Sequence, residues 1–187
     1  MTLYVRPAFR GSGVARMVRR MSVVLVLGGA RSGKSRHAEA RVQQAPPPWT
    51  YIATAEAFDD EMAERITRHQ ARRDARWRTI DAPRAVPAAL DEVGGEVPVL
   101  VDCLTLWLSN LILAEMDVDA ETAALEAALG RRRGLTALVS NEVGWGVVPA
   151  TPLGRRFQDA QGLLNQRMAA MAEQVELVAA GLPLRLK

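Results

Sequence analysis

Residues Val23–Ser35 read Val-Val-Leu-Val-Leu-Gly-Gly-Ala-Arg-Ser-Gly-Lys-Ser. An apolar, largely β-branched run breaks into glycines, and a lysine and a hydroxyl follow at once. The spacing Gly28 … Gly33-Lys34-Ser35 is G-x-x-x-x-G-K-[ST], the signature of a phosphate-binding loop between a strand and a helix. Gly28, Gly29 and Gly33 allow the backbone to turn and bring its N–H groups close around a phosphate. A helix beginning near Lys34 adds the positive end of its dipole. In such a loop Lys34 neutralises the β/γ-phosphates and the Ser35 hydroxyl ligates Mg²⁺. The sequence therefore predicts a nucleoside triphosphate site.

With 187 residues, 49% of them hydrophobic, the chain is sized for one globular domain with a real core. The net charge of +3 is small and dispersed, and it does not argue for nucleic-acid binding. The single cysteine, Cys103, excludes an intramolecular disulfide, so a reducing cytoplasm is expected. No apolar run approaches the ~18–20 residues of a membrane span. Residues 1–20 are rich in arginine and contain no acid. Within them Arg10–Ala15 resembles the pyrophosphate loop of acetyl-CoA-dependent N-acetyltransferases, but so short a piece cannot build that fold. It is expected to be a mobile or loosely docked basic extension, with the folded unit over 21–187.

Strand and helix signals alternate along the rest. A helix is expected over Arg36–Gln44 and a strand over Trp49–Thr54, then a helix over Asp59–Asp74 opened by Asp59, Asp60 and Glu61. Trp77–Asp81 reads as a short strand and Pro83–Val93 as a helix with Pro87 as a blemish. Val97–Asp102 is a buried strand ending in an acid, and Asp102 could hold Mg²⁺ or its water across from Ser35. Leu104–Met116 reads as a buried helix or subunit contact with Trp107 in the core. A helix over Asp119–Gly130, a strand over Leu135–Ser140, a polar loop from Asn141 to Gly146, a helix over Pro152–Gln174 and a strand over Val175–Ala180 follow. Leu182–Lys187 closes the chain as an extended piece. This alternation predicts an α/β fold, a mainly parallel central sheet covered on both faces in three layers.

In the Asp59–Asp74 segment, Met62, Ile66 and His69 share one helical stripe, and Arg65, Arg72 and Arg73 are helical neighbours of His69. Clustered guanidinium groups disfavour a protonated imidazole, and a neutral one beside phosphates is a competent nucleophile. Spacing alone leaves a packed, structural His69 as the plainer reading. For His37, packing or a surface position is the plainer one.

Several stretches, in order, resemble the bifunctional adenosylcobinamide kinase/adenosylcobinamide-phosphate guanylyltransferases. They are Gly28–Arg36, Tyr51–Ala55, Asp60-Glu61-Met62 with Arg65, Ile66 and His69, and Trp77-Arg78-Thr79. Asp102–Thr105, Asn141–Gly144, Gly146–Pro149, and Phe157, Asp159, Gly162, Asn165 and Gln166 continue the match. The resemblance implies a P-loop domain similar in fold to RecA. It implies phosphorylation of the aminopropanol hydroxyl of adenosylcobinamide by ATP or GTP, then transfer of GMP from GTP to that phosphate. His69 matches the family's guanylylated histidine. The implied nucleotide site comprises Gly28, Gly29, Ala30, Arg31, Ser32, Gly33, Lys34, Ser35, Ala53, Thr54, Ala55, Gln70, Ala71, Arg72, Arg73, Asp81 and Asp102. Catalysis falls to His69 and Lys34, metal binding to Ser35 and Asp102, and the implied assembly is a homotrimer. Asn141, Glu142, Trp145 and the long C-terminal helix are candidates for the corrin's neighbourhood. One departure is Asp74, where the family has proline after its arginine. A monofunctional P-loop kinase and a nucleotide-binding switch are the competing readings.

Overall fold

The computed structural model describes residues 22–56 and 73–187. The N-terminal extension and most of the segment read as a helix over Asp59–Asp74, including His69, Gln70, Ala71 and Arg72, lie outside those residues. The described elements begin β1 (Val23–Gly28), α1 (Lys34–Val42), β2 (Trp49–Ala53), β3 (Trp77–Asp81), α2 (Val86–Glu92) and β4 (Val99–Asp102). Then come α3 (Leu104–Leu113), α4 (Val118–Arg131), β5 (Thr136–Asn141), α5 (Pro152–Met171), β6 (Gln174–Ala179) and β7 (Leu182–Arg185).

The strands form one sheet in the order β3-β2-β4-β5-β1-β6-β7. β1 to β6 run parallel, and β7 turns back antiparallel on β6. In β1, Val23, Leu25 and Leu27 enter one core while Val24 and Val26 enter the other. This two-sided burial is why the strand is a continuous apolar run rather than an alternating one. The first core is closed by α2, α3, α4 and α5 through Val86, Leu90, Trp107, Leu108, Leu125, Leu129, Leu164 and Met168. On the second face, α1 packs through Ala38 and Val42. The expected three-layer α/β architecture is thus the one observed.

The differences in element bounds have local causes. α3 stops at Leu113 rather than Met116 because Glu115 takes a left-handed conformation, φ 54°. The Met116 N–H then donates to Leu111 O and the Glu115 N–H to Ile112 O, a Schellman termination without its usual glycine. α2 begins only at Val86, so Pro87 sits in the first turn, where its missing N–H leaves no gap. The terminal extended piece pairs as β7 because Ala180 and Gly181 both have positive φ, the requirement of a tight two-residue hairpin turn.

Arg132 is buried beneath the first core, at 3% exposure. It donates to Thr136 Oγ1 at 2.9 Å, to Leu90 O and Gly94 O at 3.1 Å each, and to Val97 O. Leu90 and Gly94 flank the C-terminal end of α2, where the dipole is negative. Burial lowers the Arg132 pKa, and the nearby Asp91 carboxylate opposes that. Removing this guanidinium would strand several buried carbonyls. We expect Arg132→Met to lower stability by about 3 kcal/mol, read from urea unfolding, with the slope of the transition unchanged.

Candidate active site

The parallel sheet brings every strand's carboxyl end to one edge, where open α/β sheets bind ligands. There Gly28 lies level with Asn141, and Ala53 lies level with both Asp81 and Asp102. The phosphate loop leaves β1 at Gly28. A Cβ on Gly28 would lie 2.6 Å from Val178 O and 2.5 Å from Ser32 Oγ, so only glycine fits against the loop's own far side. Gly33 has φ 94° and starts α1 from the left-handed region. Arg31 shares that region at φ 56°, a conformation that costs a side-chain-bearing residue roughly 1–2 kcal/mol. The Gly181 N–H donates to Ser32 O at 2.8 Å, so the β6–β7 turn braces the loop from behind. Lys34 folds back over the loop, donating from Nζ to Gly29 O at 3.1 Å.

From the first turn of α1, Ser35 Oγ donates to Asp102 Oδ1 at 3.3 Å. The expected pairing of hydroxyl and strand-end carboxylate is therefore present. Two hard oxygen donors side by side, next to a phosphate loop, are the chemistry that suits Mg²⁺. The other carboxylate oxygen, Asp102 Oδ2, accepts from the Tyr51 hydroxyl at 3.0 Å. Burial drives the Tyr51 pKa far up and the adjacent Asp102 carboxylate adds to this, so the phenol stays protonated and remains a donor. The Arg73 guanidinium, which opposes that shift, lies 3.6 Å from the centre of the Tyr51 ring. Ser35, Asp102, Tyr51 and Arg73 thus form one chain of contacts, and Arg73 is where the described chain resumes after residue 72.

The turn after β2 is held by a second set of bonds. Thr54 Oγ1 accepts from the Cys103 N–H at 2.7 Å and donates to Cys103 O at 2.8 Å. Asn110 Nδ2 donates to Thr54 O and Pro83 O at 2.9 Å each. Thr54 therefore shapes the Ala53–Ala55 backbone with its side chain, while Ala55 is half-buried and Asp81 is exposed at the end of β3. Burial pushes the Cys103 thiol up to about 11, which leaves it a protonated core residue rather than a nucleophile. His37 faces away from this edge, 2.7 Å from Glu176, in keeping with a packing role. At the position where the family has proline, Asp74 Oδ1 accepts from the Arg76 N–H at 2.9 Å and so makes its own turn.

His69, Gln70, Ala71 and Arg72 lie outside the described residues. The phosphate loop, Ala53–Ala55, Arg73 and Asp102 come together, and Asp81 takes its place on the outer strand of the same edge. Sequence reasoning missed the tyrosine bridge and the Asn110 clamp, since neither has a spacing signal. Asn165 is among the residues that carry the family resemblance. With Gln161 it makes a polar i,i+4 pair on the helical stripe that carries Leu164 and Met168.

The family model for cobinamide kinase/cobinamide phosphate guanyltransferase matches residues 24–186. The chain belongs to this family. It is 49% identical over 166 residues to the bifunctional adenosylcobalamin biosynthesis protein CobP of Pseudomonas aeruginosa, covering 87% of this chain and 96% of that one. It is 40% identical over 181 residues to CobU of Salmonella typhimurium, a protein of the same description, covering 88% and 99%. Among solved structures, an ATPase of a bacterial type III secretion system superposes with TM-score 0.50 at 10% identity, covering 84% of this chain and 51% of that one, a likeness of fold alone. The kinase and guanyltransferase family thus sits on a mostly parallel P-loop α/β fold, as the sequence implied.

The tyrosine bridge gives a test that leaves the fold in place. Tyr51→Phe keeps the ring under Arg73 and removes only the donor to Asp102. We expect Mg²⁺-dependent nucleotide affinity to fall about 3- to 10-fold, the worth of one such hydrogen bond, with metal-free nucleotide binding unchanged by calorimetry.

Proposed function

We propose that this chain carries out both reactions for which its family is described. In the first, a nucleoside triphosphate phosphorylates the aminopropanol hydroxyl of adenosylcobinamide. In the second, GMP passes from GTP to that phosphate, giving adenosylcobinamide-GDP and pyrophosphate. The observation that carries this reading is the phosphate loop of Gly28–Ser35, with Ser35 in contact with Asp102 across the strand ends.

Lys34, the loop N–H groups and the α1 dipole bind the triphosphate and offset its charge. Ser35 and Asp102 would hold Mg²⁺, whose chemistry is to neutralise charge that develops on the phosphate oxygens. Ala30, Arg31 and Ser32 shape the cradle, while Ala53–Ala55, Gln70–Arg73 and Asp81 complete the nucleotide site. In the second reaction His69 is the nucleophile. Its neutral imidazole attacks the α-phosphorus of GTP, the bond to the β-phosphate oxygen breaks, and pyrophosphate leaves. The substrate phosphate then displaces the imidazole and takes the GMP. One hard displacement becomes two easier ones.

The working unit is residues 21–187, with 1–20 as a basic extension, and it acts in the cytoplasm. Among the described residues no helix is long and apolar enough to cross a membrane. The assembly is a homotrimer with sites near its subunit contacts, in keeping with the exposed Leu113, Trp145, Val147, Val148 and Leu153. The loop bearing Trp145 follows Asn141 and Glu142 at the ligand edge, which suits it to a bulky corrin.

Incubation with GTP labelled at the α-phosphate tests the covalent step. Wild type is expected to retain label through denaturing electrophoresis, released by acid and stable to alkali, and His69→Ala to retain none. Equal labelling of both proteins would move the nucleophile elsewhere.

A further inference from the structure

Glu142 stands at a strand end that the nucleotide site does not use. It follows β5, the strand lying between β1 with its phosphate loop and β4 with Asp102. The Glu142 N–H donates to Gly28 O, the first residue of the loop, at 3.3 Å, and the preceding Asn141 N–H donates to Thr105 Oγ1 at 2.8 Å. The backbone that carries this carboxylate is therefore pinned on both sides, between the phosphate cradle and the start of α3.

Its side chain is aimed by a buried relay. Asn165, 5% exposed on α5, donates from Nδ2 to Glu142 Oε1 and to Asn141 O, each at 3.0 Å. On its other side, Asn165 Oδ1 accepts from Ser140 Oγ at 2.7 Å and from Gln161 Nε2 at 3.0 Å. Gln161 also donates to Ser140 Oγ at 2.9 Å. A carboxylate can only accept and Gln161 Nε2 can only donate, so the Asn165 amide has a single orientation compatible with both. Three buried polar side chains are thus spent on fixing one oxygen of one half-buried glutamate. Burying polar groups costs free energy unless each finds partners, and a purely structural turn would not need a carboxylate at its end.

We propose that Glu142 is the proton acceptor of the phosphoryl-transfer step, with Asn165 as its positioning residue. This rests on the kinase reading above. Oε1 is held by Asn165, and Oε2 takes the proton of the substrate hydroxyl. The hydroxyl oxygen bonds to the γ-phosphorus as the bond from that phosphorus to the β–γ bridging oxygen breaks. The electron pair stays with the departing nucleoside diphosphate, and the proton passes from Glu142 to solvent. The GMP-transfer reaction makes no such demand. Its attacking group is a phosphate monoester oxygen, largely ionised at neutral pH, with no hydroxyl proton to remove.

That difference supplies the test. Glu142→Gln keeps an acceptor oxygen for Asn165 and so preserves the turn, but it cannot take a proton. Purified full-length wild type and variant are assayed separately for cobinamide phosphorylation and for GMP transfer to pre-phosphorylated substrate. The variant is expected to lose about 10²- to 10⁴-fold in kcat for phosphorylation with KM for the nucleotide little changed. GMP transfer should lose at least tenfold less. Glu142→Asp, which keeps the carboxylate on a shorter arm, should fall between wild type and Glu142→Gln in phosphorylation. Phosphorylation by Glu142→Gln within a few-fold of wild type overturns the proposal, and so does an equal loss of both reactions, which would mark Glu142 as a support of the loop. Wild type that transfers GMP but does not phosphorylate cobinamide would instead overturn the kinase reading, and this proposal with it.

Discussion

The two-sided burial of β1 is the constraint on which the site depends. Its apolar side chains from Val23 to Leu27 fill both cores, each worth of order 1.5–3 kcal/mol against exposure. That burial leaves no freedom in where the strand ends. Gly28 is delivered between β5 and β6, with Val178 O where a side chain would otherwise stand. The loop that follows must curl over the sheet edge and enter α1 through the left-handed Gly33. The phosphate cradle is thus a by-product of packing, and its glycines are dictated by contact as much as by the ligand.

From this fixed loop the chemistry spreads sideways along the sheet. A parallel arrangement puts the carboxyl ends of β1 to β6 on one side, so single residues at the ends of β2, β3, β4 and β5 line the same edge as the loop. Asp102 meets Ser35 in this way, and Tyr51 reaches Asp102 from the next strand. Arg73 lies on Tyr51 and connects this set to the chain leading in from His69 in sequence. On the far side, Asn165 and Gln161 reach from α5 under the end of β5. Most of these polar groups find partners where the helices cross the strand ends, and those bonds replace the water they would otherwise keep.

Much of this could be read from the residues. The strand–loop–helix pattern, the acid at the end of β4, the apolar β5 and the order of strands and helices all follow from local periodicity and glycine placement. The points that differ are those where the local residues give no clear signal. The end of α3 at Leu113 rests on Glu115 adopting positive φ so that Met116 can return to the core, and nothing in its local sequence announces it. Pro87 reads as a blemish only in a helix that begins at Pro83; in one that begins at Val86 it stands in the first turn. The pairing of β7 on β6 needed the Ala180–Gly181 turn to be seen in three dimensions.

The sequence by itself determined that a phosphate loop would leave a buried strand, that a mainly parallel sheet would carry it, and which family the chain resembles. Those properties are local, since φ preferences, apolar period and residue type act within a few positions. Tertiary structure alone decided which strand ends stand beside the loop, that Tyr51 and Ser35 share one carboxylate, and that Asn165 aims Glu142. These contacts join residues 23 to 67 positions apart. No local preference reaches so far, and only the shared sheet and its close-packed helices bring them within hydrogen-bonding distance.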